Sequence, residues 1–219
     1  MLKTVALLLF ALVSVAHLAG DIADGPALRY ATKPLLLPSL AFYYLAASPS
    51  PSWLLLAALA AGWVGDVVLM IPDPERTRLP LKLGIAAFLV GHLFYIALFA
   101  PFLAHGDTFP ALGPLFFLPY LALGALAFFL LRKPARTMLL PVVAYITVIT
   151  AMGLSTVFSL GAASRESSVL LMCGAFSFMI SDIVNSYTKF IRSRRRDRFI
   201  IMVTYLAGQF LIVRGCLPL

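Results

Sequence analysis

The chain has 219 residues, 62% of them hydrophobic and only 12% charged, with a mean hydropathy of +0.98 and a formal net charge of +8. Soluble domains carry roughly 25% charged residues, so this composition excludes an ordinary soluble enzyme. It predicts an all-α, polytopic membrane helix bundle forming a single domain over residues 1–219. Eight apolar segments follow in order, at about 2–20, 33–47, 52–71, 80–104, 111–131, 138–161, 168–190 and 198–217. Most approach the roughly 20 residues that span a bilayer. The second is the shortest; Lys33-Pro34 stands at its mouth, and Pro34 suits the first turn of a helix. Breakers separate the segments: Gly25-Pro26, Pro49 and Pro51, Pro72 and Pro74, Gly106 and Pro110, and Pro134. Cys173 and Cys216 lie in apolar segments without a CxxC or Cys/His partner, which argues against a disulfide framework or a zinc site.

Basic residues orient the spans. Of the 17 Lys and Arg, 14 fall in or beside the loops after segments 1, 3, 5 and 7, and only Lys3, Arg165 and Arg214 lie on the other side. One missing or invented span would reverse the parity of everything after it. The split therefore predicts eight transmembrane helices with both termini non-cytoplasmic. The first segment also has features of a secretory signal, but cleavage would contradict the basic loops that follow. The cluster Arg192–Arg198 flanks membrane segments and reads as a cytoplasmic anchor, so no nucleic-acid partner is expected.

Nine residues are acidic. Asp21, Asp24, Asp73, Glu75, Asp107, Glu166 and Asp197 fall in loops or at segment ends, where hydration accounts for them. Asp66, in WVGDVVLM, and Asp182, in GAFSFMISDIVNSYTKF, lie inside spans. An aspartate at the centre of a membrane helix costs roughly 2.5–3.5 kcal/mol by insertion scales, so both are candidate functional groups. Asp182, Asn185 and Lys189 are spaced to share one helix face, as are Gly84, Phe88, His92 and Tyr95. Tyr145, the pair Tyr205 and Gln209, and Lys33 are expected at similar depths in the cytoplasmic half. A buried His or Tyr in a membrane helix also serves as an inter-helix hydrogen bonder, and Gly65 and Gly84 suit close helix packing. Lys33 and Lys189 also have the option of snorkelling to the membrane surface.

Two buried carboxylates can hold one proton between them, one acting as general acid and the other as base. That arrangement suits cleavage of acetal-like C–O bonds through an oxocarbenium-like transition state. Neither a GxSxG elbow nor an HExxH motif is present, and no ligand spacing calls for a metal or other cofactor. The alternative reading is a proton-coupled or lipid or small-solute transporter using the same aspartates.

The ordered set RYATKPLLLPSL, WVGDVVLM, LKLGIAAFLVGHLFYIALF, PVVAYITVITAM, GAFSFMISDIVNSYTKF and TYLAGQFLI resembles the YhhN-like lysoplasmalogenase family. The resemblance implies an integral membrane hydrolase of about eight helices. It would cleave the vinyl-ether bond of lysoplasmalogens to a fatty aldehyde and a glycerophospho-base. It further implies that Asp66 and Asp182 are catalytic, and that Lys33, His92, Tyr95, Tyr145, Lys189, Tyr205 and Gln209 occupy motif positions that bind substrate. Asn185 joins them by its place on the Asp182 stripe. The expected partners are a lysophospholipid substrate and membrane lipids, and the expected location is a bacterial inner membrane.

Overall fold

The computed structural model covers residues 1–219 and describes all side chains except those of 105–107 and 195. The breaker Gly106, the loop residue Asp107 and the cluster member Arg195 therefore fall outside the described residues in this respect. Eight α-helices follow in order: α1 (Leu2–Ile22), α2 (Pro26–Ala47), α3 (Trp53–Val68), α4 (Leu79–Phe99), α5 (Leu118–Leu131), α6 (Leu139–Val157), α7 (Arg165–Phe190) and α8 (Arg195–Cys216). Short 3₁₀ segments at Ala100–Thr108, Gly113–Phe117 and Arg136–Met138 extend α4, α5 and α6. No strand occurs among the described residues. Six helical stretches are long and apolar enough to cross a membrane: Leu2–Ile22, Leu79–Ala104, Gly113–Leu131, Arg136–Val157, Arg165–Phe190 and Arg196–Cys216. The 16-residue α3 is shorter, about 24 Å at 1.5 Å per residue. This is an integral, multi-pass membrane protein, and its lipid-facing sides carry exposed Leu, Val, Ile and Phe accordingly.

The chain forms two compact units, Met1–Tyr95 and Ile96–Leu219. In the first, α2 begins seven residues before the predicted segment, with Pro26 in its first turn. Pro34 is therefore not a first-turn residue, as the sequence suggested; it and Pro38 both lie inside the helix. Residue 38 has no N–H to give the Pro34 carbonyl, so the ordinary i+4 bond cannot form. The indole Nε1 of Trp63, on α3, donates to that carbonyl at 2.9 Å. A tertiary donor thus occupies the place a backbone donor would have taken, and α2 is pegged to α3.

Helices α3 and α4 approach through small residues. A Cβ on Gly91 would lie 3.2 Å from the Ala58 carbonyl oxygen, one on Gly65 2.7 Å from the Phe88 ring, and one on Gly84 2.6 Å from a Leu69 methyl. The stripe Gly84, Phe88, His92, Tyr95 is the buried face of α4. Between these helices, the loop is tied by Asp73. Its Oδ1 accepts from the Thr77 N–H (3.0 Å) and hydroxyl (2.9 Å), and its Oδ2 from the Arg78 N–H (2.7 Å).

In the second unit, α7 and α8 form the closest antiparallel pair. Cβ atoms on Gly174 and Gly208 would each sit 2.9 Å from the other's carbonyl oxygen. The Ser177 and Ser181 hydroxyls donate across the seam to the Thr204 and Ile201 carbonyls, both at 2.9 Å. Helix α7 starts at Ser164, whose hydroxyl accepts from the Ser167 N–H. Asp197 closes the start of α8 by accepting from the Arg194 N–H at 2.8 Å. Tyr120 on α5 donates to the Met172 carbonyl of α7 at 2.7 Å, linking the helices that flank α6.

Candidate active site

The first unit holds Lys33, Asp66, His92 and Tyr95. Asp66 is 4% exposed on α3, and the Lys33 ammonium of α2 stands 3.4 Å from its Oδ1. Pro34 and Trp63 flank this ion pair, one residue from Lys33 and three from Asp66, so the peg between α2 and α3 also sets the pair's register. His92 is fully buried, and its Nδ1 lies 2.6 Å from the Phe88 carbonyl. A carbonyl only accepts, so Nδ1 carries the hydrogen and Nε2 is the acceptor nitrogen of the neutral ring. The register that sets Gly65 against Phe88 and Ala58 against Gly91 places His92 more than one turn, roughly 7 Å, from the level of Asp66. Tyr95, also buried, lies about a further turn along.

Two residues of this unit went unrecognised or misread in the sequence. Asp21 was expected to be hydrated at a segment end, but it is inside α1 and only 4% exposed. Its Oδ2 lies 3.8 Å from Nε2 of His17, itself 2% exposed. The Thr32 hydroxyl gives its hydrogen to the Leu28 carbonyl (2.7 Å), so it accepts from Nδ1 of His17 (2.8 Å). The i, i+4 spacing of His17 and Asp21 was the available signal. Neighbouring Asp24 is exposed and pairs with Arg29 at 3.1 Å, which agrees with the hydrated reading.

The second unit holds Tyr145, Asp182, Asn185, Lys189, Tyr205 and Gln209. The Tyr145 hydroxyl donates to Oδ2 of Asp182 in a short hydrogen bond. Both line a cleft among α5, α6 and α7 whose other walls include Gly124, Leu131, Ile149, Thr150, Met179 and Ser186. Its interior space is about 20 Å³. Asn185 is half-buried one turn on, and Lys189 is exposed in the last turn of α7. Tyr205 and Gln209 are buried in α8, 4% and 1% exposed. The Tyr205 ring meets Phe178 edge-on at 5.3 Å. Gln209 follows Gly208, which abuts Gly174 and Phe178, so it lies one to two turns, about 6–12 Å, along α7 from Asp182. Gln209 is thus set along α7 from the Tyr145–Asp182 pair rather than beside it. Among the described residues, no three of His, Cys, Asp and Glu stand together as a metal-holding group.

These features define a class: a multi-pass helical membrane protein that keeps acid and base groups inside apolar helices. The model of the YhhN family matches residues 28–216, and the chain belongs to that family. It is similar to lysoplasmalogenase TMEM86B of Mus musculus, at 32% identity over 84% of this chain and 73% of the relative. Its similarity to lysoplasmalogenase TMEM86B of Homo sapiens is 33%, over 81% and 70% of the two chains, and to that of Rattus norvegicus 30%, over 84% and 70%. No solved structure matches. Helix α1, with His17 and Asp21, precedes the family match.

Proposed function

We propose that this protein is a lysoplasmalogenase, hydrolysing the vinyl-ether bond of an alkenyl glycerophospholipid to a fatty aldehyde and a glycerophospho-base. Kinship with proteins of that name supports the reaction. One observation supports the chemistry: Asp66 and Asp182 each lie within an apolar helix, and each carboxylate meets a proton-bearing partner, Lys33 or Tyr145. Vinyl-ether hydrolysis needs a proton delivered to carbon, a carboxylate near the resulting oxocarbenium ion, and a base for water. The aspartates supply the acid and base functions; Lys33 and Asp66 hold a transferable proton between nitrogen and carboxylate. His92, Tyr95, Asn185, Tyr205 and Gln209 orient the lipid, and Lys189, at the exposed end of α7, binds its phosphate. In this reading all eight helices cross a bacterial inner membrane, with both termini away from the cytoplasm, and the whole chain is one functional domain.

The test is aldehyde release by purified protein from lysoplasmenyl, lysoacyl and lysoalkyl lipids. Release from the vinyl ether alone, lost in Asp66→Asn and Asp182→Asn variants that remain folded, is the expected result. A folded wild-type protein that releases no aldehyde would defeat the proposal.

A further inference from the structure

Thr150 differs from other threonines of the membrane helices. Thr32, Thr147, Thr156 and Thr204 each turn the hydroxyl back to a carbonyl of their own helix, at 2.7–2.9 Å. The Thr150 hydroxyl is buried and has no hydrogen-bond partner among the described residues. It lines the same cleft as Asp182 and Tyr145. A buried hydroxyl left unpartnered is costly, and polar cavities of sufficient size are filled by water. One water needs roughly 10–15 Å³ of such space; this cleft offers about 20 Å³. Gly124 makes the room, because a Cβ there would lie 2.5 Å from the Thr150 hydroxyl oxygen.

We propose that Thr150 and Asp182 bind the hydrolytic water in the cleft among α5, α6 and α7. The inference rests on the lysoplasmalogenase reading and assigns the role of base, which it left open. Thr150 donates its hydrogen to the water, and the water donates to the Asp182 carboxylate. A carboxylate offers about four acceptor sites, so the bond from Tyr145 fixes its orientation and still leaves capacity for the water. Asp182 is then the base that receives a proton from the water. After the vinyl carbon has taken a proton from a general acid, the water oxygen bonds to the oxocarbenium carbon and one water proton passes to Asp182, from which it returns through solvent to that acid before the next turnover. The hemiacetal then gives up its hydroxyl proton as its C–O bond to glycerol breaks and the glycerol oxygen is protonated. One water is consumed, an aldehyde and an alcohol form, and nothing is oxidised or reduced overall.

The test uses the full chain in detergent with lysoplasmenylcholine. Thr150→Val removes the hydroxyl at nearly constant shape and is expected to lower kcat about tenfold or more with KM within about twofold, while Thr150→Ser restores most of the rate. Wild-type kcat in Thr150→Val would overturn the proposal. Gly124→Ala, which crowds the same water, is expected to reproduce the loss. A second measurement needs no turnover: thermal shifts of Thr150→Val, Asp182→Asn and the double variant. A shared water makes these shifts non-additive; additive shifts overturn the water site. If folded wild-type protein releases no aldehyde, the lysoplasmalogenase reading fails, and the thermal cycle still decides the water site.

Discussion

Removing the Lys33 charge exposes the energetic role of the α2–α3 contact. At the observed 3.4 Å, the attraction between Lys33 and Asp66 is about 5 kcal/mol at an effective dielectric of about 20, and about 1 kcal/mol in water. Desolvation offsets much of this, but breaking a buried pair from one side costs about 3–5 kcal/mol because the other charge stays buried. Lys33 keeps 22% of its side chain exposed, against 6% for Asp66, which favours the lower end. Lys33→Met is therefore expected to destabilise by about 3 kcal/mol, a Tm fall of roughly 6–12 °C for a chain this long. Asp66→Asn in the Lys33→Met background removes the stranded charge and is expected to recover at least about half of that loss. The measurement is thermal unfolding of detergent-solubilised single and double variants. If the double variant is as unstable as the two single losses added together, the ion pair does not couple these helices and the reasoning fails.

Three further outcomes follow from other contacts. Trp63→Phe deprives the Pro34 carbonyl of its donor and should cost about 1–3 kcal/mol, read as a lower Tm; an unchanged Tm would show that the carbonyl finds another donor at no cost. Gly208→Ala drives a Cβ against the Gly174 carbonyl and the Phe178 backbone, neither of which can rotate away, and should cost about 1–3 kcal/mol of stability; a neutral change would refute the close α7–α8 seam. For Asp73, desolvation is the largest single effect and pushes the carboxyl up, but the Thr77 hydroxyl and the Arg78 and Thr77 N–H groups together outweigh it and hold it below its ordinary 3.8. A depressed folded value means the loop's stabilisation is present above the unfolded value and lost as pH falls through the lower folded one. Amide-exchange protection at Thr77 and Arg78 should therefore drop below about pH 4 in wild type, and already be low in Asp73→Asn at neutral pH; protection independent of pH would contradict this.

The helices were legible because a bilayer imposes length and hydrophobicity on each segment separately, and Pro and Gly punctuate them. Each of the eight apolar segments corresponds to a helix, and the boundary change at α2 is the one that moves a proline from the first turn to the helix interior. That miss has a local cause. Rules for proline assume its effects fall on backbone neighbours, whereas here Trp63, 29 residues away, supplies the donor that lets Pro34 and Pro38 sit inside a helix. Asp21 was misread for a related reason. A place near a segment end suggests water, but the packing of α1 on α2 buries it beside His17.

Sequence alone determined the class of protein, the family resemblance, and the two aspartates that hydration does not account for, since a charge in an apolar helix is costly wherever the helix packs. Tertiary structure decided the partners: Lys33 for Asp66, Tyr145 for Asp182, and a cleft rather than a helix carbonyl for Thr150. It also decided the relative depths, setting His92 and Gln209 a turn or more along from the aspartate of their own unit. Helical spacing gives a residue's face and its position along its own axis. The axial offset between two helices comes from contacts such as Gly174 on Gly208 and Gly65 on Phe88, which form only when the helices meet.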